Sequence, residues 1–252
     1  MSSKPFLIFL PGLDGTGRLL FRQTGLHDEY RVACESYPQD RPHTYEELAD
    51  EAAKRIKNEN NGLPAIVVAE SFGGAVAFTL VERHPDLVER MVLSNTFAYF
   101  SRRWLIKPLA MASHLLPNQP ARAETRRVRS WFFFDPKLPK DIRDQTWEQT
   151  GDVPLRAMGR RIRMLAKIDL RERLPHISVP TVIVVSPNDR VVPPCCGQLI
   201  ADRLPNVELI EKPVGHAALL HPDVCVRSIL ADRSVWDKIS QPQDTSATAT
   251  PD

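Results

Sequence analysis

Six short apolar runs recur along this chain with helix-patterned sequence between them, and that alternation constrains the fold more than any other feature. Phe6 to Leu10, Ala65 to Ala69, Met91 to Ser94 and Thr181 to Val185 are continuous or nearly so, with Arg31 to Cys34 and Val207 to Ile210 as weaker cases. Each is too short for a helix and lacks the in-out alternation of a half-exposed strand, so each predicts a strand buried on both faces. Between them, a helix is expected from Thr44 to about Asn58. It opens on Thr44-x-x-Glu47, a capping box, and carries Leu48, Ala52 and Ile56 on one face. Further helices are expected over 71–83, 195–203 and 217–229, and Asp169 and Asp202 are placed in helical sequence. Strand then helix, repeated, predicts an α/β fold: a doubly wound, mostly parallel sheet with helices on both sides.

The alternation stops between residues 97 and 178, which read as several helices without a strand. The expected organisation is therefore a core of 1–96 and 179–239, a helical cap inserted at 97–178, and a disordered tail over 240–252, where the residues are small and polar. Trp104, Leu105, Leu109, Met111, Leu115 and Leu116 are expected to form one amphipathic helix kinked at Pro108, and the run Trp131-Phe132-Phe133-Phe134 to pack inside the insertion, with contact to a substrate or a membrane as the alternative. The 252-residue chain has a formal charge of +2, yet residues 101–173 hold 17 Lys and Arg against 8 Asp and Glu. Arg126, Arg127, Arg129, Arg160, Arg161 and Arg163 contribute to that excess. Such a concentration draws an anionic substrate or gives weak contact with an anionic lipid surface, although most charge runs are simply solvated helix faces. No nucleic-acid motif accompanies it, and nucleic acid is not an expected partner. No stretch approaches a membrane span, and Pro11-Gly12 ends the first apolar run before it resembles a signal-peptide core. With only four cysteines, two of them adjacent, the chain reads as a cytoplasmic protein with reduced thiols. No CxxC or HExxH spacing proposes a metal, and no cofactor is implied.

The chemistry is concentrated in loops that follow strands. Ala65 to Ala69 runs into Glu70-Ser71-Phe72-Gly73-Gly74 and then a helix, which is the strand-turn-helix setting of a nucleophile elbow. The positions two before and two after the serine must be small so that helix and strand can approach, and Ala69 and Gly73 meet that demand. A serine hydroxyl needs a base, and the base needs an acid to hold its tautomer. Asp189 follows the fifth expected strand in Ser186-Pro187-Asn188-Asp189, and His216 follows the sixth in Val214-Gly215-His216. Both loops then reach the C-terminal edge of the sheet that carries Ser71. Asp189 also suits a simple turn with Pro187 and Asn188. His221 lies close to His216 and reads as packing.

The loop Pro11-Gly12-Leu13-Asp14-Gly15-Thr16-Gly17 follows the first strand. It is expected to lie beside Ser71, so the backbone amides of Leu13 and Phe72 are the candidate oxyanion donors. A dinucleotide loop competes for this glycine-rich string, but Gly12, Gly15 and Gly17 read GxxGxG rather than GxGxxG.

These four strings, LPGLDGTG, AESFGG, SPNDRVVP and VGHAALLHP, resemble the α/β hydrolase superfamily over roughly residues 5–100 and 178–232. The resemblance implies a shortened six-strand sheet, because members usually begin with two further strands. It also implies that the insertion shapes the substrate pocket. Pro11 stands where many members have His. The pairing of PGLDGTG with ESFGG is also similar to the esterase-like domain of the plastid phytyl ester synthase and diacylglycerol acyltransferase group. The expected function is a serine hydrolase acting on a small-molecule carboxylic ester or thioester through an acyl-enzyme, with Ser71, Asp189 and His216 as a triad. An acyltransferase to an alcohol acceptor and a catalytically silent binding protein of the same fold remain as alternatives.

Overall fold

The computed structural model describes residues 4–240 and is built on one six-stranded sheet whose neighbouring strands all run parallel. In chain order the elements are β1 (Phe6–Leu10), α1 (Leu26–Glu29), β2 (Arg31–Cys34), α2 (Tyr45–Glu59), β3 (Ala65–Glu70) and α3 (Phe72–Arg83). They continue as β4 (Val88–Ser94), α4 (Arg103–Ala112), α5 (Arg126–Phe133), α6 (Lys140–Thr150), α7 (Leu155–Leu165) and β5 (Thr181–Val185). α8 (Pro194–Ala201), β6 (Val207–Glu211), α9 (Val226–Ala231) and α10 (Arg233–Ser240) complete the described chain. The strand order is β2-β1-β3-β4-β5-β6, so all six expected strands are present.

The position of each strand explains how clearly it reads in sequence. β1, β3 and β5 lie inside the sheet and are buried at every residue. β2 and β6 are its edges, half-exposed along their length, which is why their sequences mix polar with apolar residues. Successive side chains of β1 serve opposite layers: Ile8 and Leu10 pack with Leu48 and Ile56 of α2 and Phe78 of α3, while Leu7 and Phe9 pack with Val226 of α9 and Trp236 of α10. The Thr44–Glu47 capping box at the head of α2 is made in both directions, Thr44 Oγ1 accepting from the Glu47 amide at 3.1 Å and the Thr44 amide donating to Glu47 at 2.9 Å.

Three local expectations need correction. The helix expected over 217–229 is split into one 3-10 turn, Ala218–Leu220, and α9. Pro222 has no N–H for a continuous helix, and buried Gln23 satisfies the groups freed by the break. Its amide nitrogen donates to the carbonyls of Leu219 and Val224 at 2.7 and 2.8 Å, and its oxygen accepts from the Val226 amide at 2.9 Å. Asp169 is not helical; it lies past the end of α7 and pairs with Tyr99 in an isolated bridge. The one helix expected to run from Trp104 to Leu116 contains Pro108 as expected but ends at Ala112, and a 3-10 turn follows over Ser113–Leu115; within α4 only Ile106 and Ala110 are buried, and its large apolar side chains face outward. The expected tail lies outside the described residues from 241 onward. Among the described residues no helix is long and apolar enough to cross a membrane.

The junction between β1 and α3 leaves no room for side chains. A Cβ on Gly73 would run into the Leu10 and Pro11 carbonyls, and one on Gly74 into the Thr96 side chain. Gly73→Ala must therefore move backbone, and it is expected to lose about 3 kcal/mol or more of stability in urea unfolding. Gly74→Ala meets a side chain instead, so Thr96→Ala should recover part of its loss.

Candidate active site

Ser71 stands at the corner where β3 ends and α3 begins, with φ 52° and ψ −116°, a conformation that L side chains seldom adopt. Its backbone is held on both sides by the end of β4. The Ser71 amide donates to the Ser94 carbonyl at 2.9 Å, and Thr96 Oγ1 donates to the Ser71 carbonyl at 2.7 Å. The turn leaves the Ser71 side chain free of any capping bond and turned to His216. His216 Nε2 lies 3.1 Å from Ser71 Oγ, and His216 Nδ1 lies 2.7 Å from Asp189 Oδ2. The structure therefore brings together the three residues singled out in sequence, all of them buried.

Asp189 both makes its turn and reaches the histidine. Its amide donates to the Ser186 carbonyl at 3.1 Å, and its Oδ1 accepts from the amides of Val191 and Val192 at 2.7 and 2.9 Å. That leaves Oδ2 fixed toward the imidazole. Burial works against charge on His216, but the Asp189 carboxylate outweighs it through its charge and hydrogen bond, and the imidazole pKa is raised above its ordinary 6.5.

The loop after β1 sits against this corner. The Gly12 backbone packs beside the Ser71 Cβ, and the Gly15 amide donates to the Gly12 carbonyl at 3.1 Å. That bond fixes the peptide joining Gly12 and Leu13, and because a trans peptide sends its N–H opposite to its C=O, it fixes the Leu13 amide as well. Phe72 is the first residue of α3, where an amide has no intrahelical acceptor. Gly12, Leu13, Glu70, Ser71 and His216 line one pocket, whose far wall comes from the segment between β4 and β5, including Arg126, Arg129, Phe133 and Trp147.

Three participants escaped the sequence reading. Asn95, at φ 44° just past β4, donates through Nδ2 to the carbonyls of Gly215 and His216 at 2.9 and 2.8 Å, and its Oδ1 accepts from the Ser186 amide at 2.8 Å. It joins the loops of Asp189 and His216; an Asn directly after a strand was the available signal. Arg161 of α7 is fully buried. Its Nη1 donates to the Leu13 and Asp14 carbonyls at 2.8 and 3.0 Å, and its Nη2 to the Pro38 carbonyl at 3.1 Å. Gly15, at φ 66°, is needed twice here, because a Cβ would strike the Arg161 guanidinium. Burial lowers the Arg161 pKa from 12.5 to about 10, so its charge persists at neutral pH. Of the arginines expected on an attracting charged surface, Arg161 is therefore not at the surface, whereas Arg160 and Arg163 are half-buried and also bond inward, to the Gln39 carbonyl and Ser113 Oγ. Glu70 is the third, a buried carboxyl beside Ser71 whose Oε1 has no hydrogen-bond partner.

The aromatic run is divided rather than uniformly packed. Trp131 and Phe132 are exposed and Phe134 is buried, whereas Phe133 lines the pocket with its ring 5.7 Å from that of His216.

The family model described as serine aminopeptidase, S33, matches residues 39–213, a span that includes Ser71 and Asp189 and stops just short of His216. A Serratia proteamaculans protein provisionally named carbamate hydrolase RutD is 26% identical over 231 residues, covering 85% of each chain. A pimeloyl-[acyl-carrier protein] methyl ester esterase from Aromatoleum aromaticum is 29% identical over 185 residues, 64% of this chain and 70% of that one. Phytyl ester synthase 2 of Arabidopsis thaliana is 27% identical over 121 residues, which are 46% of this chain but only 17% of that protein. Among solved structures, the enol-lactonase of Burkholderia xenovorans LB400 has a TM-score of 0.76 at 17% identity, covering 95% of this chain and 93% of that one. A hydrolase from Pseudomonas aeruginosa PA01 has a TM-score of 0.75 at 21% identity, covering 95% and 91%. These structures share the fold.

Burial pushes the Glu70 pKa up from 4.5 to about 7, with the His216 charge pulling the other way. Between those values the native state holds a proton that the unfolded chain has lost, so stability falls as pH rises through this window. Between pH 5 and pH 8 the parent protein should lose about 3 kcal/mol more than Glu70→Gln, read from urea midpoints at each pH. Parallel pH profiles for the two would show that Glu70 is already ionised at pH 5.

Proposed function

Because the chain belongs to the serine aminopeptidase S33 family of α/β-fold hydrolases, we propose that it cleaves a carboxylic ester or thioester through an acyl-enzyme formed on Ser71. The observation that carries this reading is the single imidazole of His216, 3.1 Å from Ser71 Oγ on one side and 2.7 Å from Asp189 on the other. Ser71 Oγ attacks the acyl carbonyl and gives its proton to His216 Nε2. Asp189 holds the imidazole tautomer and stabilises the imidazolium. The oxyanion is received by the amides of Leu13 and Phe72, donors set before the substrate arrives. His216 then protonates the departing alcohol or thiol, and water repeats the sequence in reverse to free the acid. Arg161 is a positioning residue: it touches the Leu13 and Asp14 carbonyls, not the reacting atoms.

The segment at 97–178 acts as the cap in this reading, since α5 and α6 supply Phe133, Thr146 and Trp147 to the pocket beside Ser71. Its lining is mainly apolar and aromatic, with Arg126 and Arg129 among it, which suits an apolar acyl group better than a charged peptide N-terminus.

Intact mass after treatment with a small fluorophosphonate should show one adduct on the parent protein and none on Ser71→Ala or His216→Ala. No adduct on the parent would overturn the serine-hydrolase reading. With a p-nitrophenyl ester, Asp189→Asn should lower kcat by about 10⁴-fold. Arg161→Lys should lower kcat by about ten- to a hundredfold with little change in KM. Because the base must be neutral and its pKa is raised, kcat/KM should climb with pH through a midpoint above 6.5. Glu70→Gln, which removes a nearby negative charge, should move that midpoint down.

A further inference from the structure

Of the large apolar side chains that stand exposed among the described residues, all but Leu63 fall between residues 104 and 132. Trp104, Met111 and Leu115, on α4 and the turn that follows it, are 77%, 76% and 87% exposed, and Val128, Trp131 and Phe132 project from α5. Scattered apolar residues are normal on a protein surface, whereas a concentration of this kind marks a surface that meets something. Trp131 and Phe132 share one groove with Arg102, which heads α4, so the start of α4 and the apolar end of α5 border the same groove.

The charges indicate what that surface meets. α4 (RWLIKPLAMA) and α5 (RRVRSWFF) contain no carboxylate, and Arg102, Lys107 and Arg127 are exposed among the apolar residues. Tryptophan with leucine and methionine, interleaved with basic residues on short helices, matches the layered chemistry of an anionic lipid surface. The rings and aliphatic chains enter the interfacial zone while the cations stay at the phosphates. The opposite side of α5 bears Arg126, Arg129 and Phe133, which line the pocket that contains Ser71. The surface is thus continuous with the rim of that pocket.

We propose that α4, α5 and the turn after α4 form an interfacial seat by which this protein rests on an anionic lipid bilayer, with the pocket rim at the lipid boundary. An apolar ester in the bilayer would then reach the pocket without crossing open water.

The test uses the full chain carrying Ser71→Ala, so that binding is read without turnover and stands apart from the hydrolase reading. Vesicles of phosphatidylcholine alone, and of phosphatidylcholine mixed with phosphatidylglycerol, are sedimented with the protein at about 0.1 M salt. Partition onto the anionic vesicles should exceed that onto neutral ones by about tenfold or more, fall as salt rises, and shift tryptophan emission to the blue. Trp104→Ser combined with Leu115→Ser should weaken it by about tenfold or more. Lys107→Glu combined with Arg127→Glu should remove the preference for anionic lipid. Trp104→Phe, which keeps the apolar ring, should retain partition while losing part of the emission shift. All these residues are exposed, and an unchanged thermal melt checks that the fold is kept. Failure to sediment with anionic vesicles, or equal partition of the Trp104→Ser, Leu115→Ser protein, would overturn the proposal. So would sedimentation velocity showing a dimer that these two substitutions dissociate and that binds no vesicles, because the face would then belong to a second copy of the chain.

Discussion

The site depends on one backbone corner, the left-handed conformation of Ser71 between β3 and α3. A non-glycine residue in such a region costs on the order of 1–3 kcal/mol and persists only where its surroundings over-determine it. Here the surroundings are three consecutive residues at the end of β4, each with a separate task. The Ser94 carbonyl takes the Ser71 amide, Thr96 Oγ1 bonds the Ser71 carbonyl, and the Asn95 side chain spans the loops that carry Asp189 and His216. The sheet order makes this economical. β4 lies between β3 and β5, so a residue at its C-terminal end reaches the serine on one side and the acid loop on the other.

The parts that were legible in sequence are those where one physical demand dictates residue type. Strands buried on both faces must be continuously apolar, so β1, β3 and β5 read clearly along their length and β4 only from Met91, past its exposed Glu89. The elbow was legible because a tight corner excludes side chains at Gly73 and Gly74, and the structure supplies the reason in the Leu10 carbonyl and the Thr96 side chain. Ser71, Asp189 and His216 could be ordered because each follows a strand in a parallel sheet, which brings all three to one edge.

What was missed has a common cause. Arg161 sits in a run of arginines whose composition is that of a solvated surface, and only the third dimension shows that its guanidinium ends among the carbonyls of Leu13, Asp14 and Pro38. Gln23 is equally silent in sequence, although it satisfies the backbone where the last expected helix breaks. The outward face of α4 was not legible because period and apolarity show that a helix has a greasy side, not which way that side points. In an isolated chain the same pattern serves for packing inward and for meeting an external surface.

Arg161 also ties the helical segment to the proposed chemistry. Three backbone carbonyls accept from one guanidinium, and a lysine has neither the planar fork nor the reach to satisfy them together. Were α7 to withdraw, the Leu13 and Pro38 carbonyls would lose this donor and the Asp14 carbonyl would keep only Gln39 Nε2, so the loop carrying the Leu13 amide would lose much of what holds its shape. The other side of the segment is fastened too. The Ala217 amide donates to the Phe133 carbonyl at 3.0 Å, and Arg190 bonds the Trp131 carbonyl at 2.5 Å while its guanidinium lies over the Trp131 ring. The segment is therefore anchored through α7 to the loop after β1 and through the end of α5 to the loops of His216 and Asp189. The walls of the pocket and the groups proposed to react in it are set by the same hydrogen bonds, so a change in α5 or α7 that reshapes the pocket also acts on the geometry around Ser71.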